Sequence, residues 1–294
     1  MMSLKSKLAL GTAQFGLKYG INNKAGKVSP NEAFQILYFA ARNGLDTLDT
    51  ASVYGTSEDV IGEFIKRNRA SFKIISKFSK TDDEEPGLPQ KFDRTLRRLG
   101  VKSIYGYLIH QFKDFEKRPK IWEELKDFKK NQRVQKIGFS LYSPAELKVL
   151  LKEKIKFDLV QVPYSVFDRR FEKEFAKLKK LKVEIHVRSI FLQGAAFMLP
   201  SDLPAHLLKL KESLAKLKDV AFSKRVSISA MCLNFAAANP NIDRIIVGVD
   251  SLQQFNQNLA DVRPIAGFKK ILPELKDLAI EDEDVLLPYR WPVK

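Results

Sequence analysis

LDTLDTASVYG, residues 45–55, decides how the chain is read. Leu45, Thr47 and Leu48 make a short apolar and β-branched run that Asp49 ends, and Ser52 and Gly55 mark an exit before a helical pattern opens near Ser57. The stretch predicts a buried strand whose far end delivers an acid, Asp49, and a phenol, Tyr54, into one short loop. A strand tip so equipped suggests chemistry.

Outward from this stretch, apolar β-branched strands alternate with amphipathic helical segments, and that alternation implies parallel strands. Strands are predicted at 8–13, 45–49, 73–77, 105–110, 136–140, 159–163, 184–188 and 244–248, and eight is the number that closes a barrel. Helical patterns fall at 30–43, 57–69, 89–99, 119–131, 144–153, 171–181, 226–238 and 252–262. Ser29-Pro30 before Glu32 and Ser143-Pro144 before Glu146 are the caps and first-turn prolines expected of helix starts. The expected fold is an α/β (β/α)8 TIM barrel, with an extra lysine-rich helical segment at 203–218 ahead of the seventh helix and a C-terminal tail from Phe268. No Pro/Gly/Ser-rich linker divides the chain, so residues 1–294 are expected to form a single barrel domain. A doubly wound open sheet is the alternative, weakened because GTAQFG stands where a GxGxxG turn would follow the first strand.

Composition fits a folded globule: 45% of residues are hydrophobic and 11% aromatic, ample for a large core and too apolar for disorder. No apolar run is long enough to span a bilayer, and MMSLKSKLALGTAQFG breaks into Gly and Gln too soon for a signal peptide. A cytoplasmic protein without a membrane partner is expected. Cys232 is the only cysteine, which excludes an intrachain disulfide, and His110, His186 and His206 lack ligand spacing, so no metal site is expected. The net charge of +16 invites a nucleic-acid reading. Its lysines, however, recur on polar helix faces, with no RNA-binding strand signature and no basic block interleaved with aromatics. The positive field is better suited to drawing in anionic cofactors and substrates.

In a barrel the carboxyl ends of all strands converge on one mouth. The second strand ends in Asp49 with Tyr54 just beyond, the third carries Lys77 within IISKF, and the fourth ends in His110 within YLIHQF. Each alone has a dull explanation in capping, packing or solvation. Together the balance reverses, because Lys and Asp at the ends of apolar strands are costly to bury unless they pair. A phenol near its ordinary pKa of about 10 is a weak donor, and a neighbouring ammonium favours phenolate. Lys77 is expected to lower the Tyr54 pKa in this way, with Asp49 holding Lys77 charged and His110 hydrogen-bonding the same carbonyl oxygen.

Asp49, Tyr54, Lys77 and His110, in that order and strand context, resemble the catalytic tetrad of the aldo-keto reductase superfamily, closer to its bacterial oxidoreductase branch than to the aldose-reductase branch. The resemblance covers nearly the whole chain. LALGTAQFG resembles the family's LGTxxFG strand, DTASVYG its DTAxxYG motif and YLIHQF its LIHxP region. KIGFSLYS is similar to IGVSNF, LVQVPYSVFDR to QxxYNxxxR, RSIFLQG to RSPLxxG and VGVDSLQQFNQN to PGASxxxQLxEN.

The resemblance implies a cytoplasmic NAD(P)H-dependent reductase that turns an aldehyde or ketone, such as a sugar derivative, into an alcohol, with Tyr54 as general acid. It also implies that Thr12 and Asp49 face the cofactor, Ser140 and Gln161 contact the nicotinamide amide and Arg188 lies against the nicotinamide ring. Ser189, Leu192 and Gly194 would line the pyrophosphate path, and Gly248, Asp250, Gln254 and Asn258 would surround the adenosine end. Two departures bear on the cofactor. Leu141 replaces the family's Asn, removing one amide hydrogen bond, and Asp250 stands where many NADP-using relatives offer a partner to the 2′-phosphate. A carboxylate repels phosphate and accepts from a ribose hydroxyl, so weak NADP preference and use of NAD are expected.

The pocket is expected to be built by loops 21–27 and 112–118 and the tail LLPYRWP, with Phe15, Tyr54, Phe78 and Trp291 available as an aromatic wall or as packing. The expected partner is a small-molecule carbonyl compound, and the expected state a monomer or weak homo-oligomer. Two other classes stay open. One is a nucleotide-holding regulatory or sensor protein with little turnover; the other is a non-redox barrel enzyme acting on a phosphorylated sugar.

Overall fold

The computed structural model describes residues 4–79 and 87–292. Eight parallel strands run β1 Leu8–Gly11, β2 Thr47–Asp49, β3 Lys73–Phe78, β4 Ile104–Ile109, β5 Val134–Ser140, β6 Leu159–Pro163, β7 Glu184–Arg188 and β8 Arg244–Gly248. They pair in sequence order, and β1 pairs with β8 through Leu8↔Ile245 to Gly11↔Gly248, which closes the barrel. The strands differ from their predicted bounds by a few residues at the ends, where hydrogen bonding rather than apolar pattern sets the limit.

Helices occupy the connections, and their starts show why. Ser29 accepts from the Glu32 amide with Pro30 in the first turn, and Ser143 with Glu146 forms a reciprocal capping box. The apolar stripe of each helix covers the outer faces of the strands, and Ile36, Leu37, Ile61, Leu147 and Leu150 are completely buried there. Removing one such side chain typically costs about 2–5 kcal/mol. The seventh connection carries the additional helix Lys211–Ser223 ahead of Ile228–Ala238, and the tail contributes short turns and the helix Glu283–Leu286. No helix among the described residues is long and apolar enough to cross a membrane.

Inside the barrel the packing is of a different kind. Ile75, Leu108 and Leu159 form a small apolar cluster separate from the main core. Successive residues on a strand point to opposite faces, so Lys77, His110 and Gln161, two positions beyond these three, lie on the same inner face above the plug. Glu184, His186 and Arg188 likewise share one face of β7, from the lower end to the mouth.

Candidate active site

Asp49 is the fixed point of the mouth. Its carboxylate accepts from Lys77 Nζ at 2.6 Å and from Gln161 Nε2 at 2.7 Å, one bond on each oxygen. Its carbonyl accepts from the Thr12 amide at 2.9 Å and the Thr12 hydroxyl at 2.8 Å. Thr12 in turn accepts from Ser57, at the start of the helix Ser57–Asn68. Lys77 is fully buried, and its second hydrogen bond goes to the Thr50 carbonyl at 2.9 Å. An ammonium buried this deeply persists because both it and its carboxylate are hydrogen-bonded.

Tyr54 sits over this pair. Lys77 Nζ lies 5.0 Å from its ring centroid, and the His110 ring meets it edge-on at 5.8 Å. The loop that carries Tyr54 is clamped by two glycines: a Cβ on Gly16 would stand 1.7 Å from the Tyr54 carbonyl oxygen, and one on Gly55, at φ +53°, would stand 2.4 Å from the Gly16 carbonyl. Backbone thus lies directly on backbone, which only glycine permits.

The electrostatics correct one expectation. Burial, reinforced by the Asp49 charge, pushes the Tyr54 phenol above its ordinary value. The expected net acidification by Lys77 does not occur, because the carboxylate paired with it at 2.6 Å offsets the ammonium's field at the phenol. Arg188 supplies the one opposing charge. Burial also lowers the Lys77 pKa, against the pull of Asp49. His110 is held well below the usual imidazole value by burial and by the nearby Lys77 and Arg188, so it is neutral. Its Nδ1 is buried without a hydrogen-bond partner.

Beside these groups opens a cleft continuous with solvent. Of the residues singled out from sequence, Thr12, Asp49, Tyr54, Gln161, Arg188, Ser189, Gly194, Gly248, Asp250 and Gln254 line it. Lys77 and His110 stand behind Asp49 and Tyr54. Ser140 is fully buried beside Gln161 in the β5–β6 register, with its hydroxyl oxygen unpartnered. Leu192 is buried and turned away from the cleft, although its φ of +45° belongs to the same left-handed run as Ser189, Gln193 and Gly194. Asn258 is also out of the cleft: it is buried and accepts from the Ser229 hydroxyl at 2.9 Å, joining two helices.

Gln161 Nε2 is engaged by Asp49, while the residue still lines the cleft. Phe15 and Phe78 are core residues rather than pocket wall, and the segment 112–118 is largely the helix Phe112–Lys117, whose Phe112 and Phe115 pack on Phe139. Trp291 packs against His206 and donates to the Val285 carbonyl.

Several contacts were not legible in the sequence. The loop after β1 crosses to the loop after β7, with the Ile21 amide donating to the Gln193 carbonyl at 2.9 Å and Gln193 Nε2 to the Tyr19 hydroxyl at 3.3 Å. Asn23 Nδ2 reaches the Asp250 carboxylate at 3.2 Å. Gly20 and Gly26, both at positive φ, were the available signal for a tight strap. Tyr142 was also missed; it receives the Arg188 guanidinium at 4.2 Å and meets Tyr289 of the tail at 5.0 Å.

A family model described as the aldo/keto reductase family matches residues 7–263. Over 274 residues the chain is 24% identical to the aldo-keto reductase yakc [NADP(+)] of Schizosaccharomyces pombe, covering 86% of this chain and 78% of that protein. It is 29% identical over 126 residues to glyoxal reductase of Bacillus subtilis, covering 42% of this chain and 45% of that relative, so the match spans less than half of the relative's length. Among solved structures, aldo-keto reductase AKR11C1 from Bacillus halodurans (holo form) superimposes with a TM-score of 0.75 at 19% identity, covering 95% of both chains. That likeness speaks to the fold.

Proposed function

This chain belongs to the aldo/keto reductase family, and from that premise we propose that it reduces an aldehyde or ketone to an alcohol with a nicotinamide nucleotide, Tyr54 giving the proton. The observation that carries this reading is the grouping of Tyr54, His110 and the Asp49–Lys77 pair at one corner of the cleft.

The residues fit such a cofactor. The unpartnered Ser140 hydroxyl suits a carboxamide, and the left-handed positions Ser189, Gln193 and Gly194 shape a backbone surface along the cleft. Bound there, the reduced nicotinamide would supply the hydride. The protein's part is orientation and proton supply. Tyr54, protonated in the resting site, would donate to the substrate oxygen. Nδ1 of neutral His110 is buried without an acceptor, so its proton is better carried on Nε2, which would donate to the same oxygen. As phenolate forms, Arg188, the one neighbouring charge that favours it, would stabilise it.

Tyr54→Phe tests the acid. Turnover of an accepted aldehyde should fall by about 10²-fold or more while nucleotide still quenches intrinsic fluorescence; reduction near the parent rate would remove Tyr54 from the role. For the cofactor, the half-buried Asp250 carboxylate at the β8 end of the cleft supports NAD over NADP. Turnover with NADH should match or exceed that with NADPH, and a strong NADPH preference would overturn this assignment.

A further inference from the structure

Among the described residues, three charged side chains line the cleft: Asp49, Arg188 and Asp250. Asp49 is neutralised by Lys77, and Asp250 is held at the β8 end by Asn23. Arg188 forms no ion pair among the described residues; the nearby Glu146 carboxylate feels its charge but is hydrogen-bonded to the Tyr142 and Ser143 amides. It is nonetheless firmly placed. Its guanidinium carbon lies over the Tyr142 ring, 4.2 Å from the centroid, one terminal nitrogen donates to the Leu141 carbonyl at 3.1 Å and the other to the Ser189 hydroxyl at 3.3 Å. Two of a guanidinium's five N–H donors are thereby used, and the rest keep the fork geometry that matches carboxylate and phosphate oxygens.

Position decides what such a group is for. The Arg188 charge is felt by Tyr54, His110 and Lys77 together, so it stands at the reacting end of the cleft rather than at the β8 end. A fixed, half-buried cation with free N–H donors and no direct ion pair gains when an oxyanion reaches it. The ring contact implied by family resemblance and an anion contact do not compete, because a guanidinium offers its faces to π systems and its edge to oxyanions.

Resting on the reductase reading, we propose that Arg188 anchors an oxyanion carried by the substrate, and that the preferred substrates are carbonyl compounds bearing a carboxylate or phosphate group. Tyr54 and His110 then hold the carbonyl oxygen while Arg188 holds the far charge, fixing the substrate at two points. The net charge of +16 steers the same class of molecule toward the protein.

The test compares matched pairs, succinic semialdehyde with butanal and glyceraldehyde 3-phosphate with glyceraldehyde, in the parent protein and in Arg188→Gln and Arg188→Lys. The charged-to-neutral ratio of kcat/KM is internal to each variant, so a general loss of rate or of cofactor affinity cancels. The parent ratio should be about 10 or more for at least one pair, should fall toward 1 in Arg188→Gln and should be partly restored in Arg188→Lys. In parallel, non-reducible succinate and inorganic phosphate are titrated against the nucleotide-loaded protein by cofactor fluorescence, where Arg188→Gln should weaken at least one of them about tenfold. Parent ratios near 1 in both pairs, or ratios untouched by Arg188→Gln, overturn the anchor. So does a loss in Arg188→Gln that is equal for charged and neutral aldehydes and matched by weaker nucleotide binding, since the guanidinium would then serve the cofactor's pyrophosphate. Arg188-dependent anion binding without reduction of any carbonyl would keep the anchor and remove the reductase reading. Reduction without charge preference would do the reverse.

Discussion

At the lower end of the barrel Glu184 accepts from His186 Nε2 at 2.6 Å, from the Tyr105 hydroxyl at 2.7 Å and from Lys136, while at the mouth Asp49 accepts from Lys77 and Gln161. Both are inward carboxylates with each oxygen engaged, and both have a buried histidine nearby whose Nδ1 has no partner. Hydrogen bonds from His186, Lys136 and Tyr105 outweigh burial and hold the Glu184 carboxyl well below the usual carboxylate range. Ile75, Leu108 and Leu159 separate the two layers. What differs is the neighbourhood. The upper pair borders a cleft with a phenol, a neutral imidazole and a guanidinium outside any direct ion pair around it, whereas the Glu184 group lines no part of that cleft. A buried ion pair alone is therefore no sign of catalysis; what distinguishes the mouth is that some of its polar capacity is left for a ligand.

Breaking each cluster in turn sharpens this contrast. The largest loss is expected from Lys77→Met, which strands the Asp49 carboxylate: about 3–5 kcal/mol of stability by urea denaturation, together with loss of reduction. If Lys77→Met instead matches the parent in both readouts, the upper pair is not what organises the mouth. Gly16→Ala should come next, since its new Cβ meets the Tyr54 carbonyl; about 1–3 kcal/mol and a tenfold or greater fall in kcat are expected, read from the same denaturation series and steady-state rates.

At the lower end, Glu184→Gln should cost about 1–2 kcal/mol, because partly exposed Lys136 can turn to water, and should leave kcat unchanged. A large drop in kcat there would mean that the two layers are coupled through the apolar plug. The smallest effect concerns pH. His110 stays neutral in the folded protein, so as pH falls through about 6.5 the unfolded chain takes up a proton that the native one does not, and stability declines. Replacing His110 by Asn should make the difference between urea midpoints at pH 7.5 and pH 5 smaller than in the parent, and an unchanged difference would show that His110 does not contribute to it.

Family, strand order and barrel were legible because they are properties of pattern. Alternation of apolar strands with amphipathic helices has one economical closed solution at eight units, and motifs such as DTASVYG keep their neighbours in sequence. Asp49, Tyr54, Lys77 and His110 could be named as a set because every parallel strand ends at the same mouth. Leu192 and Asn258 could not be placed in that way. They lie within motifs that contribute other residues to the cleft, but local backbone turns and helix-to-helix hydrogen bonding send their own side chains elsewhere.

Sequence by itself determined which strand ends bring Asp49, Lys77 and His110 to the mouth, since strand alternation and chain direction are local rules. Tertiary structure alone decided how those residues act on one another. That the Asp49 charge would offset Lys77 at the Tyr54 phenol, that Gln161 would donate to Asp49, and that Arg188 would be fixed by Tyr142 outside any direct ion pair all depend on distances across the barrel. Electrostatic interaction varies with separation and burial, and neither quantity is carried by spacing along a chain.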